Sequence, residues 1–364
     1  MFYKNYDNST FIKKNEMTQR KFFKFIFFNV IVVLICSCNK EDVLQPTSHL
    51  FNRTFTKDLR IEGHEFDSLI IENCVFDGAT LNMGNVDFVT IKNCEFKNID
   101  GNGLKIGFIG ISKNIRIENC SFINIGFNGI DSHENAPNCV ITNCYFEDCA
   151  LSDVGSAMGQ PHHGIYWKGK NVTIVNNEFR TENQNYGAAI SHRSSGIISG
   201  NKIFDKKGTY GIVYFADHPG GDSLLIENNM LFNCEHGIGL TTPEIVGNHN
   251  QNILVRFNSV YNSTNQCIYV GKGFDGTANI HIYGNVLVQS NSEVIVSYSE
   301  INDYSNLESS SDIGFVDITN GDLHLLPSSQ AVNYCSGLTS YPTTDIDGEN
   351  RNSITLDAGA DEVN

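Results

Sequence analysis

The sequence predicts an all-β protein, a single-stranded right-handed parallel β-helix of about nine or more coils. Three observations point to it. First, one phrase occurs nine times between Ile71 and Leu287: apolar, any residue, small or polar, Cys or Asn, any residue, apolar. It runs from Ile71–Cys74–Phe76, Ile91–Cys94–Phe96, Ile117–Cys120–Phe122 and Ile141–Cys144–Phe146 through Ile174–Asn177–Phe179, Ile198–Asn201–Ile203 and Ile226–Asn229–Leu231 to Val255–Asn258–Val260 and Ile282–Asn285–Leu287. Second, the start-to-start spacings of 20, 26, 24, 33, 24, 28, 29 and 27 residues suit one coil each. Third, apolar positions alternate between Gly- and Asn-rich joints, so no unit can bury its hydrophobic face without stacking on its neighbours.

The elements follow in chain order. Arg20 and Lys21 precede an apolar run from Phe22 to Ile35, which ends in Cys36-Ser37-Cys38. A basic start, a short apolar core and small residues before a cysteine make a secretory signal over residues 1–38. Met17 is a more typical initiator than Met1. The ending resembles a bacterial lipobox with Cys38 as the lipidated residue. The following Asn39-Lys40-Glu41-Asp42 is similar to the export tag of Bacteroidetes surface lipoproteins. The run falls short of the roughly 20 residues that span a bilayer. The expectation is an outer-membrane lipoprotein, facing the periplasm or cell surface and touching membrane only through its lipid.

Residues 39–65 read as linker and N-terminal cap, 66–300 as the β-helix and 301–364 as a C-terminal cap region. In the last of these, Asp345-Ile346-Asp347-Gly348 and Asp357 to Glu362 resemble the ending of many bacterial β-helix proteins. Identical positions of successive coils lie about 4.8 Å apart. Cys74, Cys94, Cys120 and Cys144 therefore form a column, continued by Asn177, Asn201, Asn229, Asn258 and Asn285. The eleven cysteines read as buried thiols, because same-face neighbours in a parallel ladder rarely meet disulfide geometry and no metal-ligand spacing occurs. A net charge of −16 argues against nucleic acid as a partner. It also repels acidic polysaccharide unless cations gather in one place. The chain is expected to be monomeric.

They do gather. A second strand, usually opened by Gly, precedes each phrase, and its inward positions are Leu104, Ile130, Ile165, Ala188, Ile212, Ile238 and Ile268. Alternation then places Lys105, Asp131, His133, Tyr166, Lys168, Ser191, Arg193, Phe215, Asp217, Thr241 and Tyr269 outward. His133, Lys168 and Arg193 fall on successive coils, with Asp131 and Tyr166 beside them. His162, His163, His192 and His218 flank them at strand ends or turns. A bulge would exchange His192 for Arg193. The widest spacing places an insertion, about Cys149 to Pro161, before this cluster as a loop forming one cleft wall.

Such a group suits β-elimination on uronic acids. This reaction needs a cation on the carboxylate, a base for the proton on carbon 5 and an acid for the group leaving carbon 4. Neighbouring cations depress the pKa of a Lys or Tyr base. The candidate catalytic residues are Lys168, Arg193, Tyr166, His133 and His192. The candidate substrate-binding residues are Lys105, Asp131, His162, His163, Asp217 and His218. A glycoside hydrolase needs paired carboxylates, whereas Asp131 and Asp217 stand three coils apart, about 14 Å.

Gly164 to Lys168, Asn176 to Phe179 and Ile190 to Arg193 resemble the catalytic coils of the alginate lyase and chondroitinase B family, pectate-lyase-like solenoids that use a Lys base and an Arg on the next coil. The resemblance implies Lys168 as base and Arg193 as acid or carboxylate partner. It departs in two ways. Pro161, His162 and His163 stand where the family has acidic calcium ligands, and the Arg-His order is reversed. No metal and no cofactor is therefore expected. The expected activity is that of a carbon–oxygen lyase on anionic poly- or oligosaccharides of algal type, such as ulvan or alginate. A dehydratase acting on a terminal uronate and a non-catalytic carbohydrate-binding lipoprotein are the alternatives.

Overall fold

The computed structural model describes residues 49–63, 68–152, 161–181, 187–217, 223–242, 252–274, 278–289 and 293–363. Cys38 and the signal segment lie outside the described residues, as does His218. Three parallel sheets wind around one core. The first has eleven strands from His49–Phe51 to Asn302–Tyr304, the second eleven from Thr54–Phe55 to Leu307–Ser309, and the third ten from Leu59–Glu62 to Ile295–Ser297. Each strand pairs with its counterpart one coil away. No helix among the described residues is long and apolar enough to cross a membrane.

The repeated phrase is the corner between the first and second sheets. Its third residue takes the left-handed conformation in every coil: Asn73, Asn93, Asn119, Asn143, Asn176, Gly200, Asn228, Phe257 and Gly284 have φ between 52° and 68°. Asn and Gly tolerate this conformation and other residues resist it. Phe257 is the costly exception, fully buried beneath the Arg351 guanidinium, 4.8 Å from its ring.

The fourth residue builds the column. Asn177 Nδ2 donates to Asn201 Oδ1 (3.0 Å), Asn201 to Asn229 (2.9 Å), Asn229 to Asn258 (2.9 Å) and Asn258 to Asn285 (3.0 Å). The four phrase cysteines continue it as buried free thiols, joined where the Cys144 N–H donates to Asn177 Oδ1. Inside the corner Phe55, Phe76, Phe96, Phe122, Phe146 and Phe179 stack in one file with centroids 4.6–4.8 Å apart.

The coil stack extends past the phrases at both ends. Leu50 pairs with Ile71 and Phe55 with Phe76, so a full coil occupies part of the segment read as linker and cap. Its phrase is disguised by Arg53 in the column position. At the other end Asp303 pairs with Ile282 and Glu308 with Leu287. The Asn306 side chain still extends the ladder, donating to Ile282 O (2.9 Å) and accepting from Asn285 Nδ2 (2.8 Å), though the apolar pattern has gone.

The C-terminal tail touches the last coil, where Tyr334 Oη donates to Asn306 O (3.1 Å), and reaches further back. After an antiparallel hairpin, Phe315–Asp317 with Asp322–Leu325, it returns along the flank. Leu323, Leu356 and Ala358 cover the outward apolar residues Phe204, Met230, Phe232 and Val286 in a second core. Gly359 N–H donates to Gly284 O (2.8 Å), and Arg351 Nη2 donates to Asn228 Oδ1 (3.0 Å). His324 ties the hairpin to the tail, pairing with Asp322 and with Asp347.

Candidate active site

The third sheet carries the site. Its inward file is Leu104, Ile130, Ile165, Ile190, Ile212, Ile238 and Ile268. Ile190, two residues beyond the expected Ala188, holds the rung, so the parity of that coil is unchanged. One outward row reads Lys105, Asp131, Tyr166, Ser191, Val213, Gly239 and Tyr269. The next begins as the strands end. His133 N–H donates to Ile106 O, Lys168 N–H to Ser132 Oγ and Arg193 N–H to Trp167 O, each at 2.9 Å. These bonds set His133, Lys168 and Arg193 side by side, and the row continues through Phe215 and Thr241.

Tyr166 is the hub. Lys168 Nζ lies 4.7 Å and Arg193 Cζ 4.8 Å from its ring centroid, within cation–π range. Arg193 also lies 4.5 Å from the Phe215 ring, and its Nη1 donates to Asp217 Oδ2 at 2.9 Å. Two rings and a carboxylate therefore fix the guanidinium. Burial raises the Tyr166 phenol above its usual range, Arg193 opposing and Asp217 and Asp131 adding to the shift. At neutral pH the phenol keeps its proton and can donate it.

Asp131 shares its row with Lys105 and Tyr166, one on each neighbouring coil. Burial pushes its carboxyl up to about 6, against the opposing charges of Lys105 and Lys168 and a bond from Asn128. A carboxyl so placed exchanges a proton near neutral pH. At the same end Lys105 Nζ lies 4.5 Å from the Phe108 ring centroid, and His133 meets that ring edge-on at 5.6 Å. Phe108, 42% exposed, was not among the expected residues because it sits in a turn beyond the alternating strand. Tyr210 was missed for another reason: its ring folds over Gly239, where a Cβ would lie 2.4 Å from it.

The histidines divide. His192 is a correction: it faces inward, fully buried, in register with Trp167 and Tyr214, and burial pushes it down to about 4. It is a neutral core residue, because the coil has no bulge and Arg193 takes the outward place. His163 is buried too, and its Nδ1 accepts the Ala188 N–H at 2.9 Å. That fixes the proton on Nε2, and burial with nearby Arg193 holds its pKa well below the usual range. Its ring backs Tyr166 at 5.2 Å, so it supports the hub. His162 stacks on Phe127 at 4.2 Å. Ser191 is outward by register yet fully buried.

Among the described residues one trio, His324, Asp347 and Asp361, brings three metal-ligating atoms within 4.8 Å of one another. It belongs to the C-terminal flank. The outward cluster itself offers two basic side chains, a phenol and one raised carboxyl.

Comparison with known proteins places the architecture. Pectate lyase Pel9A superposes with a TM-score of 0.50 at 14% identity, covering 84% of this chain and 82% of that one. The surface adhesin PfbA of Streptococcus pneumoniae gives 0.38 at 15% identity, covering 85% and 79%. The PL6 family alginate lyase AlyGC gives 0.36 at 13%, covering 82% and 56%. At 14% identity the likeness to Pel9A is one of fold. No curated protein matches the chain. The family model for the right handed beta helix region matches residues 77–241 and 156–307. Together with the three wound sheets, this match shows that the chain belongs to the right-handed β-helix family.

Proposed function

We propose that the protein is a carbon–oxygen lyase that opens uronic-acid-containing saccharides by β-elimination. The observation that carries this reading is Tyr166, a proton donor, with the Lys168 amine and the Arg193 guanidinium both against its ring in a protein of net charge −16. Arg193 binds the uronate carboxylate and stabilises the charge that develops when the carbon 5 proton leaves. Lys168 removes that proton, Tyr166 protonates the oxygen leaving carbon 4, and His133 and Lys105 hold the neighbouring sugar. The proton gained by the Lys168 amine returns to the Tyr166 phenolate beside it, and Asp131 opposes the charges of Lys105 and Lys168. The step balances: the carbon–hydrogen and carbon–oxygen bonds break, a carbon–carbon double bond forms, and the leaving oxygen gains a proton.

The same groups serve loss of water from a terminal uronate, and product mass separates the two outcomes. Incubation with a panel of algal and animal polyuronates and their oligomers, read by ultraviolet absorbance of the unsaturated product and by mass, tests the reading. Binding without any unsaturated product contradicts it and favours a saccharide-binding protein. We also propose attachment to the outer membrane through lipid on Cys38. Cys38→Ala then releases the protein from the membrane, and unchanged retention contradicts the proposal.

A further inference from the structure

Beyond the cationic cluster, the outer face of the third sheet changes character. Toward the C-terminal coils Tyr210 lies over Gly239, its ring 6.3 Å from that of Tyr269, and Tyr269 lies 6.0 Å from Tyr298. Tyr269 continues the row of Asp131 and Tyr166. Tyr298 N–H donates to Val270 O (2.8 Å) and Gly271 N–H to Leu240 O (2.8 Å). These bonds put Tyr298 on the row of Lys168 and Arg193. Tyr298 is 58% exposed, and Lys272 Nζ stands 5.7 Å from its ring centroid. The core packing already described does not call for an exposed tyrosine here, and the elimination chemistry does not use these rings.

We infer that Tyr210, Tyr269 and Tyr298 form a stacking platform for the part of an acidic saccharide chain that extends from the cleft along the helix axis, with Lys272 taking an acid group at its far end. The inference rests on the proposed reading of the cleft as a uronate site. A coil and a sugar ring advance by similar distances, on the order of 5 Å. The five coil steps from Tyr166 to Tyr298 therefore hold about five sugars beyond the one that reacts. Sugar rings present apolar C–H faces that pack on aromatic side chains, which lose little rotamer freedom in doing so. Phe215 touches Arg193 and stands one coil nearer the platform, in register with Thr241. The platform makes the protein a reader of chain length: long oligomers gain contacts that short ones cannot reach.

The test uses size-fractionated oligouronates of roughly two to eight sugars, titrated calorimetrically against the wild type and against Tyr269→Ala/Tyr298→Ala, Tyr298→Phe and Lys272→Ala. In the wild type, Kd falls by at least about tenfold between three and six sugars. The double alanine variant abolishes that gain and leaves trimer binding unchanged, Tyr298→Phe retains it, and Lys272→Ala loses part of it. With a verified substrate the effect falls on KM and spares kcat. A wild-type affinity flat with length, or a length dependence untouched in the double alanine variant, overturns the platform alone. Failure of every oligouronate to bind overturns the reading of the cleft as well, so the two failures are told apart.

Discussion

Asp131 is the least comfortable residue on the site face. Its carboxyl rises from the usual 3.8 to about 6, mostly through burial. The folded state thus binds a proton more tightly than the unfolded chain does between those values. Stability contributed by this group is fullest below the unfolded pKa, declines as pH rises through the window, and is absent above about pH 6. Asp131→Asn is expected to stabilise the protein at pH 7 by on the order of 2–3 kcal/mol while lowering activity. Thermal melts across pH check this: the advantage of the variant should shrink to nothing below about pH 4. A constant advantage would mean that burial of charge is not the cause. The outward places of Lys168 and Arg193 were legible from alternation alone. Ambiguity between His192 and Arg193 was not resolvable from residue types, since either fits a bulged strand. The straight register of Trp167 with His192 decides it. Phe108 and Tyr210 escaped notice because turns and folded-over rings leave no period in a sequence.

The strands owe their alignment to the corner between the first and second sheets. There the repeated phrase combines a left-handed residue with a buried Asn or Cys, and both requirements are visible as letters. The ladder is a load carried in series. Asn229 accepts from the Asn201 N–H and Nδ2, and donates to Ile198 O, Glu227 O and Asn258 Oδ1. Asn229→Ala strands buried partners on three sides and is expected to cost about 3 kcal/mol. Asn229→Cys should cost less, because Cys144 fills the same column place and satisfies Thr142 O with its thiol. Chemical denaturation of both variants orders the losses, and an alanine variant as stable as the wild type would deny the ladder a structural role. The extra coil around Leu50 and the ladder at Asn306 were illegible for a complementary reason. Arg53 removes the column letter, and Asp303 and Glu308 remove the apolar ones, yet backbone pairing with an adjacent formed coil continues without them.

At the scale of the molecule, one stack bears the core and one tail braces its flank. Spacing of the phrases conveys the stack, since it reports only nearest-neighbour repetition. It conveys nothing of the tail, whose partners Phe204, Met230, Phe232 and Asn228 stand about 90 to 120 residues earlier and belong to no period. Arg351 is the pin: fully buried, it pairs with Glu362 at 3.2 Å and donates to Gly359 O at 2.8 Å and Asn228 Oδ1 at 3.0 Å. Arg351→Ala leaves a buried carboxylate uncompensated, and a loss of about 3–5 kcal/mol is expected, with early proteolysis of residues 343–363. Among the described residues, the brace lies on the first and second sheets. The rate of unsaturated uronate formation reports on the outward face of the third sheet. On an oligouronate that the wild type converts, Lys168→Ala and Arg193→Ala should each lower turnover by at least about 100-fold while keeping the wild-type melting temperature within a few degrees. Near-normal turnover in either folded variant would contradict the account.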